Sequence, residues 1–385
     1  MRIAFFSEVY WPMVSGVSLT LKRTVDALQA RGHVVRVYSA TYPLPAGMGD
    51  RPEVFRSPSR AFFVAPEVQV ASVPQAEVTA DLAAFQPDVV HILTEWNMGR
   101  RGLKAARELN IPVVMSAHTD YERYAKNYGL TWLVQPGWAY LRWFYRHAHK
   151  VLAPTRQYER HLHERGVWHT GIWTRGVNAS EFSPSFRSEA FRAQYGVGAD
   201  DVLVTYVGRL APEKNIDVLL NAWELLGERR RGAKLLLTGE GLADEEVRRR
   251  NLADVFRLGH QHGVALGTAY ASADVYAFAS VTETFGNSLL EAMASSLPSV
   301  VAASGGVLEF AEDGKNSLLA KPNSAEHFAD QLARLIADAT LRRTLGAGAM
   351  ATAAARHWDS IFDTLVDDYH AASRTARTPE LVIAA

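Results

Sequence analysis

Short, almost wholly apolar runs recur along this chain, each followed by a segment with helical spacing. That alternation constrains the fold more than any other feature. Ile3–Ser7 is the first such run, and strands of this kind belong to parallel sheets whose crossovers are helices. Ser18–Ala30 then spaces Leu19, Val25 and Leu28 for a helix, which Arg31-Gly32 stops. His33–Ser39, Asp88–Leu93 and Val113–Ala117 are further predicted strands, with a helix over Gly102–Leu109. Residues 41–80, rich in Pro and Ala, read as loops with a strand or two. The grammar restarts at Val202–Val207 and continues through Leu235–Thr238, Val255–Leu258, Val275–Phe278 and Pro298–Ala302. Helices are expected at Ile216–Leu226, Ala265–Ser272, Ser288–Ser296 and Ala325–Asp338, and an amphipathic one at Trp358–Tyr369 through Ile361, Phe362, Leu365 and Tyr369. The last dozen residues read as a loose tail.

At 385 residues the chain exceeds the ~250–300 residues at which single cores stop growing. Two doubly wound domains are therefore expected, with the boundary between about 168 and 200, where Gly, Ser, Pro and Asn interrupt the pattern. Lys+Arg and Asp+Glu both total 41, so no overall basic field exists to grip nucleic acid. With no cysteine, thiol nucleophiles, disulfides and cysteine metal sites are excluded. No apolar run approaches the ~18–20 residues of a membrane span, and Ile3–Phe6 is too short for a signal-peptide core. A cytoplasmic protein is the expectation.

Ligands of open parallel sheets bind beyond the carboxyl ends of the strands, so the residues just after strands carry the functional argument. Ser280–Glu291, S-V-T-E-T-F-G-N-S-L-L-E, leads from a strand into a helix starting near Asn287. The first turn of such a helix offers unpaired N–H groups to an anion, and Gly286 allows close approach. Glu283 in the loop and Glu291 on the helix suit sugar or ribose hydroxyls, unless they are merely solvated helix acids. As a glycosidase pair they are poorly placed, because eight residues of helix rise ~12 Å, against ~5–9.5 Å for paired catalytic carboxyls. Val207–Asn215, V-G-R-L-A-P-E-K-N, brings Arg209 and Lys214 after a strand, a clamp for a diphosphate leaving group. The plainer alternative is a solvated loop with Glu213 paired to a neighbour. His118, in S-A-H-T-D-Y after the strand Val113–Met115, and Gly16, in Y-W-P-M-V-S-G-V after the first strand, are weaker candidates. Thr238–Asp244, T-G-E-G-L-A-D, falls short of the dinucleotide fingerprint because Asp244 replaces its last glycine. No clustered metal-ligand set accompanies these motifs, so no metal is expected.

Taken together, Glu283–Glu291 (E-x7-E), Gly208–Asn215 (G-R-L-x-x-E-K-N), Gly305–Glu309 (G-G-V-x-E), Arg31–His33 (R-G-H) and Arg175–Asn178 (R-G-V-N) resemble the GT-B glycosyltransferases of family 4, which are retaining enzymes. The resemblance spans nearly the whole chain. It implies two Rossmann-like α/β domains facing a central cleft, residues 1–178 and 179–365, with a terminal segment 366–385 returning to the first. It also implies a nucleotide-diphospho-sugar donor and no further cofactor. Glu283 would contact the donor sugar, Glu291 the ribose, and Arg209 and Lys214 the diphosphate. Backbone N–H groups around Phe285, Gly286, Asn287 and Ser288 would assist, with His118 and Gly16 approaching from the amino-terminal domain. The family's chemistry is front-face attack with the leaving phosphate taking the acceptor's proton, which explains why no base residue is evident. Many members have paired glycines where this chain has Ser15-Gly16, and the G-H-Q-H-G of Gly259–Gly263, near the expected base position, does not translate into guanine or uracil.

The stretch His118–Gly129, H-T-D-Y-E-R-Y-A-K-N-Y-G, is similar to mannosyltransferases and to sulfoquinovosyl- and glucosyl-diacylglycerol synthases. That implies hexose transfer, with GDP-mannose as the first donor expected, to a lipid or lipid-linked glycan. A UDP-sugar-dependent glycolipid synthase and a non-catalytic nucleotide-sugar-binding protein are the alternatives. Over Trp138–Arg165, Trp138, Tyr140, Trp143, Phe144 and Tyr145 interleave with Arg142, Arg146, Lys150, Arg156 and Arg160. Read as a helix, this stretch suits an anionic membrane surface on the inner face of the plasma membrane, unless its aromatics are core.

Overall fold

The computed structural model describes residues 1–13, 15–44, 47, 49–61, 68–127 and 129–376. They fall into two compact units. The first comprises Met1–Thr119, Trp132–Thr174 and the chain from Asp359 on; the second comprises Asp120–Thr131 and Arg175–Trp358. The divisions run at 174/175 and 358/359 rather than 178/179 and 365/366, and residues 120–131 group with the second unit. The end of the expected tail, 377–385, lies outside the described residues.

Along the chain run β1 (Arg2–Ser7), α1 (Gly16–Ala30), β2 (Val34–Ala40), β3 (Val54–Ser57), β4 (Ser59–Ala61), β5 (Gln69–Ala71), α2 (Gln75–Phe85), β6 (Val89–Ile92), α3 (Asn97–Glu108) and β7 (Val113–Ser116). After α4 (Tyr121–Asn127), which packs in the second unit, come α5 (Val134–Tyr145), β8 (Lys150–Ala153), α6 (Arg156–Glu164) and β9 (Thr170–Ile172). The first unit's sheet has the order β3-β2-β1-β6-β7-β8-β9, parallel throughout. Its central strands are buried on both faces, Phe5 lying in register with Val37 on one side and His91 on the other. The strand order reverses between β1 and β6.

The second unit continues with α7 (Glu189–Ala193), β10 (Val202–Val207), α8 (Ile216–Leu225), β11 (Ala233–Thr238), α9 (Asp244–Arg250), β12 (Val255–Gly259), α10 (Gly263–Ala271), β13 (Val275–Phe278), α11 (Asn287–Ala294), β14 (Ser299–Ala302), β15 (Ser317–Ala320), α12 (Ala325–Ala337) and α13 (Ala339–Ala354). Its parallel sheet has the order β12-β11-β10-β13-β14-β15 and reverses between β10 and β13. Both units are therefore Rossmann-like.

The last helix, α14 (Trp358–Ala376), belongs to the first unit from Asp359 on. Its Tyr369 hydroxyl lies 2.6 Å from His91 Nδ1, and His91 Nε2 lies 2.6 Å from Ser116 Oγ, all of them buried. Arg31, in the R-G-H turn after α1, pairs with Asp359 at 2.6 Å. That motif therefore anchors the last helix.

The structure corrects several sequence expectations. Trp138–Arg165 is two helices separated by β8, whose Val151, Leu152 and Ala153 are completely buried. Most of its aromatics are core: Trp138, Phe144 and Tyr145 are buried, while Trp143 remains exposed. Helix α3 begins at Asn97, five residues before the expected start, and α2, α13, β9 and β15 were not anticipated.

Candidate donor site in the second unit

The reversal of strand order between β10 and β13 opens a crevice beyond their carboxyl ends, where α/β sheets bind ligands. The loops that follow these two strands are Gly208–Asn215 and Ala279–Gly286, the ones the sequence motifs single out. Lys214 Nζ lies 2.5 Å from Glu283 Oε1, and the two side chains are 19% and 16% exposed. Ser280 Oγ donates to the same carboxylate oxygen at 2.9 Å. Burial would raise the Glu283 pKa, but the Lys214 charge and hydrogen bond, with Ser280 and Arg209, outweigh it and hold the group below its ordinary value. Glu283 is therefore an ionised carboxylate at neutral pH. Thr282 Oγ1 donates to the Glu213 carbonyl at 3.1 Å and Asn215 Nδ2 to the Ala279 carbonyl at 3.2 Å, so the two loops form one structure.

Arg209 pairs with buried Glu213, as the plainer reading of that loop had it, yet its own side chain is 44% exposed. The guanidinium is thus held by a buried carboxylate on a side chain that remains partly exposed. Tyr206 reinforces this by donating its hydroxyl to the Arg209 carbonyl at 2.9 Å.

Helix α11 starts at Asn287, as predicted. Gly286, at φ 102°, precedes it in a backbone region that disfavours side chains. No side chain caps this helix and no acid occupies its first turn, so its leading N–H groups are directed at whatever lies beyond. Phe285 packs on Phe310 at 5.1 Å, and Ser288 hydrogen-bonds the Tyr276 side chain. One turn on, Glu291 Oε2 accepts the hydroxyl of buried Tyr270 at 3.0 Å. Burial first, and then the Glu291 charge, raise the Tyr270 pKa well above normal, keeping it a donor. The G-G-V-x-E segment backs this site: Gly306 N–H donates to the Glu283 carbonyl at 2.7 Å, and a Cβ there would lie 2.1 Å from the Thr284 carbonyl oxygen. The near-fingerprint at Gly239 serves packing, since a Cβ there would lie 2.0 Å from the Gly208 carbonyl oxygen.

The remaining candidates lie in the first unit. His118, two residues beyond β7, is buried, its ring 5.4 Å from that of Trp173. Gly16 opens α1, whose first turn is capped by Ser15 and Ser18 through reciprocal hydrogen bonds of 3.1 and 2.8 Å. Ser15, the departure from paired glycines, is thus a helix cap. Sequence reasoning missed Glu8, which follows β1 and accepts N–H bonds from Ala71 and Met98. Burial pushes its carboxyl up to about 7, despite those bonds and the Arg101 charge. It also missed Arg123 of α4, which donates to the Val281 carbonyl. The R-G-V-N motif has buried Arg175, pushed down to about 9 by desolvation. Among the described residues, no group of three or more His, Cys, Asp or Glu is arranged to hold a metal.

Two family models match the chain, Glycosyltransferase Family 4 over residues 14–181 and Glycosyl transferases group 1 over residues 187–351. A GDP-mannose-dependent alpha-mannosyltransferase of Mycobacterium tuberculosis is 31% identical over 96% of each chain. A sulfoquinovosyl transferase of Arabidopsis thaliana is 30% identical over 90% of this chain and 69% of its own. The solved structure of a sucrose-phosphate synthase from Thermosynechococcus elongatus superposes with a TM-score of 0.79 over 98% of this chain and 100% of that one, at 21% identity. The structural likeness bears on the fold, and the full-length sequence identity on descent: the chain belongs to the GT-B glycosyltransferases of family 4.

Proposed function

We propose that this protein transfers a hexose, with retention, from a nucleotide-diphospho-sugar to a lipid or lipid-linked glycan acceptor. The observation that carries the proposal is the switch point of the second unit, where an ionised carboxylate, two cations and an uncapped helix end share one pair of loops. Glu283 takes the sugar hydroxyls and Glu291, oriented by Tyr270, the ribose. Arg209, Lys214 and the N–H groups at Phe285–Ser288 take the diphosphate and stabilise it as it leaves. His118 and the Gly16 loop serve the sugar and acceptor from the first unit. The C1–phosphate bond breaks as the acceptor oxygen bonds to C1 on the same face, and the departing phosphate oxygen receives the acceptor's proton. The charge on the leaving group is met by Arg209 and Lys214, so turnover is expected to survive EDTA. The Mycobacterium tuberculosis relative is named for GDP-mannose, which makes GDP-mannose the first donor to test.

Thermal shift with GDP, UDP, ADP and their sugar conjugates is the direct test, because ligand at ~100 times its Kd adds ~2.7 kcal/mol. A selective rise with a uridine nucleotide would replace the mannosyl reading with a UDP-sugar-dependent glycolipid synthase. Full turnover by Glu283→Gln would remove that residue from the mechanism.

The acceptor reading extends to a membrane contact on the cytoplasmic face, and one surface of the first unit supports it. A groove of about 720 Å³ in the first unit is lined by Arg100, Arg101, Lys104 and Arg107 of α3, with Trp143 of α5 at its wall. Cations at i, i+4 and i+7 share one helix face, and an aromatic edge beside them suits an anionic lipid surface. Nearby His147 is pushed below its normal pKa by burial and then by Arg107 and Arg146. Replacing Arg100, Lys104 and Arg107 by Glu should abolish sedimentation with phosphatidylglycerol vesicles; unchanged sedimentation would refute this surface.

A further inference from the structure

The chain leaves the first unit after Thr119 and rejoins it at Trp132, and residues 120–131 between them pack in the second unit. Helix α4 lies in this excursion, in contact with the Pro212–Lys214 turn. Asp120 starts it, accepting the Arg123 N–H at 3.0 Å and lying 3.2 Å from the Arg123 Nε. So held, Arg123 donates through Nη1 to the Val281 carbonyl at 2.5 Å, and Ser304 Oγ donates to that same carbonyl at 3.0 Å. Val281 sits between Ser280, which bonds the Glu283 carboxylate, and Glu283 itself. The guanidinium also packs against Gly305: a Cβ there would lie 3.2 Å from Nη1 and 2.6 Å from the Glu283 carbonyl oxygen. Gly305 therefore packs closely against both Arg123 and the Glu283 backbone.

We infer that Arg123 is a donor-positioning residue: through the Val281 carbonyl it fixes the 280–284 loop so that the Glu283 carboxylate meets the sugar half of the donor. This rests on the reading of Glu283 as the sugar-binding carboxylate. The physical reason is economy of contact. A planar guanidinium can hold an Asp and a carbonyl in fixed directions at once, which a Lys ammonium cannot. The sugar's grip is thereby set by a residue far away in sequence from the loop that makes the contact, while the nucleotide's grip, through Glu291 and α11, is left alone.

The test separates the two halves of the donor. Affinities for GDP-mannose and GDP, and for UDP-glucose and UDP, are measured by calorimetry on the full chain, for wild type, Arg123→Ala, Ser304→Ala and Glu283→Gln. Loss of a charge-assisted bond predicts that Arg123→Ala weakens the sugar nucleotide about tenfold and leaves the nucleoside diphosphate unchanged. Glu283→Gln gives the same split, and Ser304→Ala gives a smaller one. If Glu283→Gln splits the affinities and Arg123→Ala does not, the inference fails and the reading of Glu283 stands. If neither does, both fail. Equal loss of both ligands in Arg123→Ala, with a lowered Tm, would reduce the residue to a structural prop. Should that variant not fold, an unchanged pair of affinities in Ser304→Ala overturns the inference.

Discussion

Replacing Lys214 by Met tests the donor-site electrostatics without any assumption about substrate. At an effective dielectric of about 20, unit charges 2.5 Å apart attract by roughly 7 kcal/mol, of which desolvation cancels a large part. Removing one partner of a buried pair costs about 3–5 kcal/mol, and with both side chains 16–19% exposed the lower end applies. A loss of about 3 kcal/mol lowers Tm by roughly 6–12 °C for a unit of this size, measurable by calorimetry. The pH dependence should reverse as well. In wild type the Glu283 pKa lies below 4.5, so its contribution to stability is present above pH 4.5 and lost as pH falls through the folded value. Without Lys214, burial dominates and lifts the folded pKa above 4.5. Stability then falls as pH rises from 4.5 towards that new value. Lys214→Met/Glu283→Gln should recover much of the loss, because no unpaired charge remains buried. A Lys214→Met variant within 1 kcal/mol of wild type, or a strictly additive double variant, would refute the reasoning.

Other substitutions read different parts of the same architecture. Gly306→Ala forces a Cβ to 2.1 Å from the Thr284 oxygen, so the Glu283 loop must shift, and donor KM should rise well before global stability is lost. Tyr270→Phe removes the hydroxyl from Glu291, costing about 1–2 kcal/mol of stability and weakening the nucleoside diphosphate and its sugar conjugate alike, where Arg123→Ala weakens only the conjugate. In the first unit, Tyr369→Phe and His91→Phe each break a buried polar chain at a cost of about 1–3 kcal/mol. Their double variant should cost less than the sum, as a denaturation cycle would reveal.

What the sequence disclosed follows from where burial is total. Val202–Val207 and Val275–Phe278 are strands throughout and are buried along their length, so their apolar runs announce them. The start of α11 at Asn287 was legible because Gly286 and the polar loop punctuate it. By contrast, β8 is a run of only four residues within an aromatic and basic stretch, and periodicity alone absorbs it into the neighbouring helices. Helix α13 is so rich in Ala and Gly that no apolar stripe marks it. At the site, the residue types of Glu283, Lys214 and Arg209 were readable because they follow strands, but the strand order that makes their loops adjacent was not. Arg123 was invisible for the same reason: only tertiary structure brings α4 beside Val281.

The contact of Tyr369 with His91 also has a meaning for biosynthesis. The sheet of the first unit is made early, but the helix that covers His91 is made only after the whole span 175–358 of the second unit. On the ribosome, the unit begun first is the unit completed last. A nascent chain must therefore carry an uncovered patch of its leading sheet through the folding of everything that follows, and a chain stalled before residue 359 would present that patch to chaperones while its other sheet is already whole.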